Sequence, residues 1–204
     1  FRKAIRLEAY EQADMVSDPV NLFDMAPYAD GAAAVLLTRR DLLPPDYPHP
    51  LVKVSGSGAA IDTLALHDRR EMLAFDAARA AVEQVCYKAG WHPRDMDLFE
   101  LCDAFSIYGI LSLEAAGYAK PGEGWKLAQD GKLGIHDALP VCTMGGMKAR
   151  GNTLGASGVY QVVEAALQLR GEAGASQVPG AQRALTLSLG GPASTAVAHV
   201  LERV

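Results

Sequence analysis

Apolar residues recur at helical spacing from Leu73 through Ala77, Ala80, Ala81 and Val85, and Gly90 stands where such a helix would stop. The spacing predicts two more helices. One runs from Phe105 to Ala116, ended by Gly117, and the other from Val159 to Leu169, ended by Gly171. Residues 2–13 read as helical with few apolar anchors. Five segments carry strand patterns. Asp30–Leu37 is a small-residue run that ends in an apolar stretch. Residues 51–61 hold a Ser-Gly-Ser-Gly segment that would bulge a strand. Residues 97–101 form a short strand, and Ala184–Leu189 and Ala193–Leu201 flank Gly190-Gly191-Pro192. Residues 17–29, with Pro19 and Pro27, read as an extended connection, and residues 41–50, with four prolines, as a surface loop. Residues 119–140 are Gly-rich and polar without a period. That predicts a long loop, of the kind that often carries function. Strands interleaved with helices predict a mixed α/β layer, and no internal repeat is present.

Composition narrows the classes. The chain has 204 residues, half of them apolar, which supports one sizeable domain or a compact half of a larger one. A net charge of -5, with scattered Lys and Arg, argues against nucleic acid as a partner. The one dense charge cluster, Asp68-Arg69-Arg70-Glu71, reads as a solvated helix start. No apolar run reaches the roughly 20 residues that span a bilayer, and no signal-peptide pattern is seen. Cys86, Cys102 and Cys142 are sparse, odd in number and without CxxC spacing, so a reducing compartment, the cytoplasm, is expected. The chain begins at Phe1 without a Met, and it is expected to be a piece of a longer protein.

Three segments could carry chemistry. Gly145–Gly158 places five glycines in 14 residues ahead of a helix. Such a loop brings backbone N–H groups and a helix N-terminus close to a ligand, or else serves as a tight packing junction; the residues leave both readings open. It is not a Walker loop, since no Lys-Ser/Thr follows its last glycine. Glu100-Leu101-Cys102-Asp103-Ala104-Phe105 sets a thiol and a carboxylate at a strand-to-helix transition, where sites of α/β sheets gather. Asp103 reads as the N-cap of the helix that follows, and Cys102 could equally be a small buried apolar group. Ser188-Leu189-Gly190-Gly191-Pro192 is a hairpin turn that could present a backbone N–H to an oxyanion. The five histidines share no metal-ligand spacing, so no metal site is expected. His136, in the long loop, is the histidine that could face a site, whereas His199 reads as structural. Cys142, just ahead of Gly145, is more suspect than Cys86, which reads as core.

Together these segments resemble the thiolase superfamily, in the branch of sterol-carrier-protein thiolases and archaeal acetoacetyl-CoA thiolases. Asp30-Gly31-Ala32-Ala33-Ala34 is similar to the strand that opens that family's second half. Cys102-Asp103-Ala104-Phe105 is similar to its Asn-Glu-Ala-Phe or His-Asp-Ala-Phe motif. Gly145-Gly146 through Gly158 is similar to its Gly-Gly…Gly-His-Pro…Gly-Ala-(Ser/Thr)-Gly motif. Gln168-Leu169-Arg170-Gly171 and Ser188-Leu189-Gly190-Gly191 follow in order. The resemblance implies a thiolase-like C-terminal domain, a five-stranded mixed sheet with helices on both faces, over residues 30–204. Residues 1–29 would then connect it to a missing N-terminal half that supplies a nucleophilic cysteine. It also implies acyl-CoA as substrate, C–C bond formation or cleavage, no further cofactor, a role in lipid metabolism, and assembly as a homodimer or tetramer.

The pattern is broken where protons would move. Asn152 stands in place of the activating His and cannot act as a base near neutral pH. Cys102 replaces an Asn or His, and Ser188 replaces a cysteine that many thiolases use as acid or base. Ala104 stands where this branch sometimes has a cysteine, and Cys142 and Met144 replace asparagines. The expected site is therefore Cys102, Asn152, Ser188 and Gly190, supported by Asp103, Gly145 and Gly146. Cys102 could act as acid or base if its pKa were lowered, with help from Tyr108 or Tyr160. This reading includes aldol-type cleavage with a small OB-fold partner, and two alternatives stand beside it: a non-catalytic thiolase-like subunit that binds acyl-CoA or scaffolds such a complex, and a purely structural α/β half of a split or truncated enzyme.

Overall fold

Strands β5 (Arg183–Gly190) and β6 (Thr195–Arg203) alternate apolar side chains between two faces, and both faces are buried. This makes them the centre of the sheet. The computed structural model describes residues 5–204. β3 (Val52–Ile61) pairs antiparallel with β6, β6 with β5, and β5 runs parallel to β4 (Leu98–Glu100), giving the order β3-β6-β5-β4. β3 slips register between Val54 and Gly56, the bulge its glycines predict. A side chain at Gly56 would strike the Val85 carbonyl of helix α2 (Asp76–Ala89), so the glycine lets helix and strand close up.

Helices cover both faces. α2 and α3 (Ser106–Ala115) pack on one side around Phe99, Leu185, Leu187, Ala198 and Val200. α6 (Ser157–Arg170) lies on the other over Leu98, Ala184 and Leu201. The glycine stops hold: Gly90 and Gly171 are left-handed caps with φ 75° and 76°.

Several expectations are corrected. The sheet has four strands, not five. Residues 30–37 form no ladder among the described residues, and Leu36 is 95% exposed. The place beyond β4 is held by Val141 alone, which bridges Phe99 in parallel. Pro140 precedes it, and Cys142 follows with a left-handed φ of 47°, so the extended backbone cannot continue. The 119–140 segment is not all loop. It holds α4 (Gly124–Gln129), admitted because a side chain at Gly124 would meet the Ile110 carbonyl oxygen at 2.7 Å. Of the helix expected over residues 2–13, α1 (Leu7–Glu11) forms, while residues 2–4 lie outside the described residues. The 17–29 connection takes part in a small antiparallel pair, β1 (Met15–Ser17) with β2 (Val20–Asn21). The cluster at 68–71 does not start a helix. Arg69 is buried there, its side chain 1% exposed. Among the described residues, no helix is long and apolar enough to cross a membrane.

Candidate active site

β4 and β5 run in parallel register through Glu100 and Thr186 and then part. The same offset carries Cys102 level with Ser188, in the crevice that opens at the carboxyl ends of the strands. The Cys102 sulfur lies within hydrogen-bond reach of the Ala104 and Leu189 backbone N–H groups. The residue is 4% exposed, packed among Ala26, Ala104, Met147, Phe105, Tyr108 and Leu189.

The glycine loop closes onto both sides of this crevice. Asp103 does not cap its own helix. Its carboxylate accepts from the Met147 N–H at 2.8 Å and the Lys148 N–H at 3.1 Å, so it holds α5 (Gly146–Arg150), the short helix inside the loop. Gly146 has φ 58°, and a side chain there would collide with the Asp103 carboxylate. At the far end of the loop, a side chain at Gly158 would sit 2.7 Å from Ser188 Oγ. Two glycines of the loop thus mark places where it touches a candidate residue.

Asn152 is held by its own turn. Its Oδ1 accepts from the Leu154 N–H at 2.9 Å and from Ser157 Oγ at 3.3 Å. Its backbone N–H donates to Pro27 O at 2.7 Å, and Ala29 N–H donates back to Asn152 O at 3.2 Å. Just before Pro27, Ala26 N–H donates to Ala104 O at 2.8 Å. Residues 25–29 therefore stitch the Cys102 segment to the Asn152 turn. Nothing in the sequence pattern pointed to this role, since Pro19 and Pro27 mark the segment only as extended. Asp103 and Ser188 are the candidates that the loop touches, at Gly146 and Gly158, and Gly145 has a left-handed φ of 90° just ahead of α5. Gly190 ends β5, paired with Thr195.

Other expectations fall away. Burial pushes the Cys102 thiol up, not down, so it is a weaker acid than a free thiol and holds less thiolate at neutral pH. Burial likewise raises Cys142, whose Sγ donates to Leu101 O at 3.5 Å, with Asp103 and Glu100 adding to the effect. His136 is exposed in a cleft with Asp95 and Asp97, at the opposite end of β4 from the crevice. Tyr160 stacks beneath the Arg150 guanidinium, 4.8 Å away. Among the described residues, no three His, Cys, Asp or Glu side chains gather as a metal site requires.

Beneath the crevice lies a polar network missed from the sequence. Glu100, 1% exposed, accepts from Thr143 N–H at 3.0 Å and Thr143 Oγ1 at 2.7 Å. Gln168 donates to Thr143 Oγ1 at 2.8 Å, and Arg150 pairs with Glu164 at 2.6 Å. Burial drives the Glu100 carboxyl up to about 7, against the pull of the Thr143 hydrogen bonds. The one available signal was a charge inside the apolar run Leu98-Phe99-Glu100-Leu101.

A cavity of about 390 Å³ opens beside Ser188, Gly155 and Gly158 on the α6 face of the sheet. Thr186 and His199 line it, and Val35 and Leu37 of the unpaired 30–37 segment form its far wall. Gln161 Oε1 and His199 Nδ1 are buried without a hydrogen-bond partner among the described residues. Burial pulls the His199 pKa down.

Residues 58–203 match the family described as thiolase C-terminal domain-like. The chain belongs to that family. It is 42% identical to an acetyl-CoA acetyltransferase of Methanothermobacter thermautotrophicus, over all of this chain and 53% of that protein. It is 31% identical to sterol carrier protein 2 of Bos taurus, over 93% of this chain and 36% of that protein. It is 30% identical to the benzoylsuccinyl-CoA thiolase subunit BbsB of Thauera aromatica, over 94% of this chain and 50% of that protein. A solved Ltp2-ChsH2(DUF35) aldolase shares the fold with a TM-score of 0.79 at 20% identity, over all of this chain and 52% of its own. The thiolase-like chain thus spans about half the length of the archaeal acetyltransferase.

Proposed function

We propose that this thiolase-like chain forms the second half of an enzyme that makes or breaks a C–C bond in CoA thioesters, with a proton path that differs from the usual one. The first half would supply the nucleophile. What supports the reading is the glycine loop that touches both candidate segments, Gly146 against Asp103 and Gly158 against Ser188, with its Asn152 turn tied through residues 25–29 to the Cys102 segment and no base among Cys102, Asn152 and Ser188. Relatives named for acetyl-CoA and benzoylsuccinyl-CoA support the thioester class.

In this reading the chain's residues position and polarise more than they transfer protons. N–H groups at Ala104 and Leu189 are turned toward the Cys102 sulfur, where a substrate oxygen that took its place would meet them. Fixed donors of this kind stabilise a developing oxyanion where water is excluded. The Cys102 thiol, raised by burial, stays protonated near neutral pH and is only a weak donor. Asn152 can hold a substrate oxygen or a water but cannot take its proton. The groove beside Ser188, with unpaired Gln161 and His199 atoms, would seat the first half against the α6 face.

A hybrid tests this. The 204-residue chain is joined to the first half of the Methanothermobacter acetyltransferase. The hybrid should bind acetoacetyl-CoA yet cleave it with CoA at least about 100-fold more slowly than the parent, the typical cost of a lost general base. Asn152→His should recover much of that rate. Full thiolysis with Asn152 in place would overturn the altered proton path. Failure to bind any CoA thioester would overturn the whole reading and leave a scaffolding subunit, which the absence of a base favours.

A further inference from the structure

Arg69 is a buried cation whose tip has no acceptor. It follows the short 3-10 turn Leu66–Asp68, and its side chain is 1% exposed. A guanidinium stays charged at any pH a folded protein meets, so burial cannot neutralise it. Its Nε donates to Thr63 O at 2.8 Å, whereas Nη1 and Nη2 are buried without a partner among the described residues. The Asp62 carboxylate stands 3.8 Å from Nε, too far for a hydrogen bond, and its Oδ1 accepts from the Thr63 N–H at 2.7 Å. Buried donors and a buried charge left unanswered weigh heavily against folding. Costs of this kind concentrate at functional sites.

Two contacts place this tip next to the crevice. Asp62 N–H donates to Ser194 O at 2.8 Å, and the Leu64 side chain comes up to Gly191, so the 62–69 segment is fastened to the hairpin that follows Gly190. From the other side comes Tyr108, packed against the cluster that holds Cys102. Burial raises the Tyr108 hydroxyl, the Cys102 sulfur adds to the rise and the Arg69 cation opposes it, so that hydroxyl lies close to both groups. Cys102, Tyr108 and Arg69 therefore stand in series.

The charge decides what would answer it. Water fills hydrogen bonds but leaves the cation unpaired. A carboxylate meets both demands, since its two oxygens match the fork of a guanidinium. A side chain from another folded surface is poorly placed to supply it, because this chain already covers the guanidinium. A small acid that enters along the crevice passes Tyr108 on the way. We infer that Arg69 receives a free carboxylate on the acyl part of a thioester whose reacting carbonyl lies at Cys102. The substrate class is then thioesters of dicarboxylic acids. The inference rests on the thioester reading above, and its test separates the two.

Calorimetry compares S-glutaryl-N-acetylcysteamine with its methyl ester, which keeps the carbon skeleton and loses the charge, on the 204-residue chain and on the hybrid enzyme. The acid should bind at least about tenfold more tightly, the scale of a charge-assisted pair. Arg69→Met keeps much of the bulk and removes the charge, and it should erase that gap. It should also raise the melting temperature of the chain without ligand, because an unanswered buried charge is gone. A purely structural arginine would give a fall instead, which overturns the inference. Equal binding of acid and ester overturns it and leaves the thioester reading intact, whereas binding of neither by the hybrid removes both. A gap that survives Arg69→Met puts the carboxylate elsewhere and overturns the assignment. So does a melting temperature that Arg69→Met raises in the chain but lowers in the hybrid with no gap, which hands Arg69 to a group of the first half.

Discussion

At the scale of single residues, burial holds the chain's thiols in the protonated form. Burial raises all three thiols: Cys86 to about 11, Cys102 above its ordinary value, and Cys142 well above it. A raised pKa means less thiolate at neutral pH, and the thiolate is the species that reacts. The folded chain should therefore resist iodoacetamide at pH 7.5, with all three thiols labelling together in guanidinium chloride, as mass spectrometry would show. Fast native labelling at Cys102 would contradict the burial seen here. The sequence disclosed which residues stand at the changed positions, because the motifs around them are distinctive. It could not disclose Asp103's true partner. The helix that Asp103 caps is reached 44 residues later through a tertiary contact, whereas local propensity favoured the helix next to it. Arg69 misled for a related reason. Its neighbours in sequence are charged, yet its Nε donates to Thr63 O at 2.8 Å, and its Nη1 and Nη2 find no partner among the described residues.

At the scale of elements, helices α2, α3 and α6 were legible because each carries a repeating apolar stripe and a glycine stop. α4 was not, since six residues hold too few turns to show a period. Residues 30–37 had strand composition but find no ladder, since pairing depends on a neighbour that composition cannot supply. The contact between α6 and β5 is the element-level feature most open to test. Gly158 lies over Ser188 so closely that an added methyl would press on Oγ at 2.7 Å. Gly158→Ala should cost about 1–3 kcal/mol in urea unfolding through overpacking. Adding Ser188→Gly should return most of it, which identifies the clash and not helix propensity as the cause.

At the scale of the whole molecule, the buried acids under the crevice tie stability to pH. Glu100 titrates at about 7 in the fold against 4.5 as its ordinary value, so the folded state holds the proton more tightly. Its stabilising contribution is whole below about pH 4.5 and is lost as pH rises through about 7. That is worth about 3 kcal/mol. Thermal melts should fall across this window, and Glu100→Gln should flatten much of the slope. Glu164, also raised by burial, leaves a remainder. Residues 30–37 form no ladder among the described residues and expose Leu36 and Leu37. Their amides should exchange with deuterium within seconds in this chain and become protected once a first half is joined to it, as hydrogen-exchange mass spectrometry would reveal.

Val141 carries one more consequence. Its N–H donates inward-to-outward across the rim of the sheet to Leu133 O at 3.1 Å, and Leu139 N–H reaches Lys132 O at 3.0 Å. The returning strip of chain thus occupies the donors that a visiting strand would need, and Pro140 has none to offer. On that flank the fold is sealed against strand-by-strand growth, so any sheet-to-sheet aggregation of this protein must begin on the opposite flank, along β3.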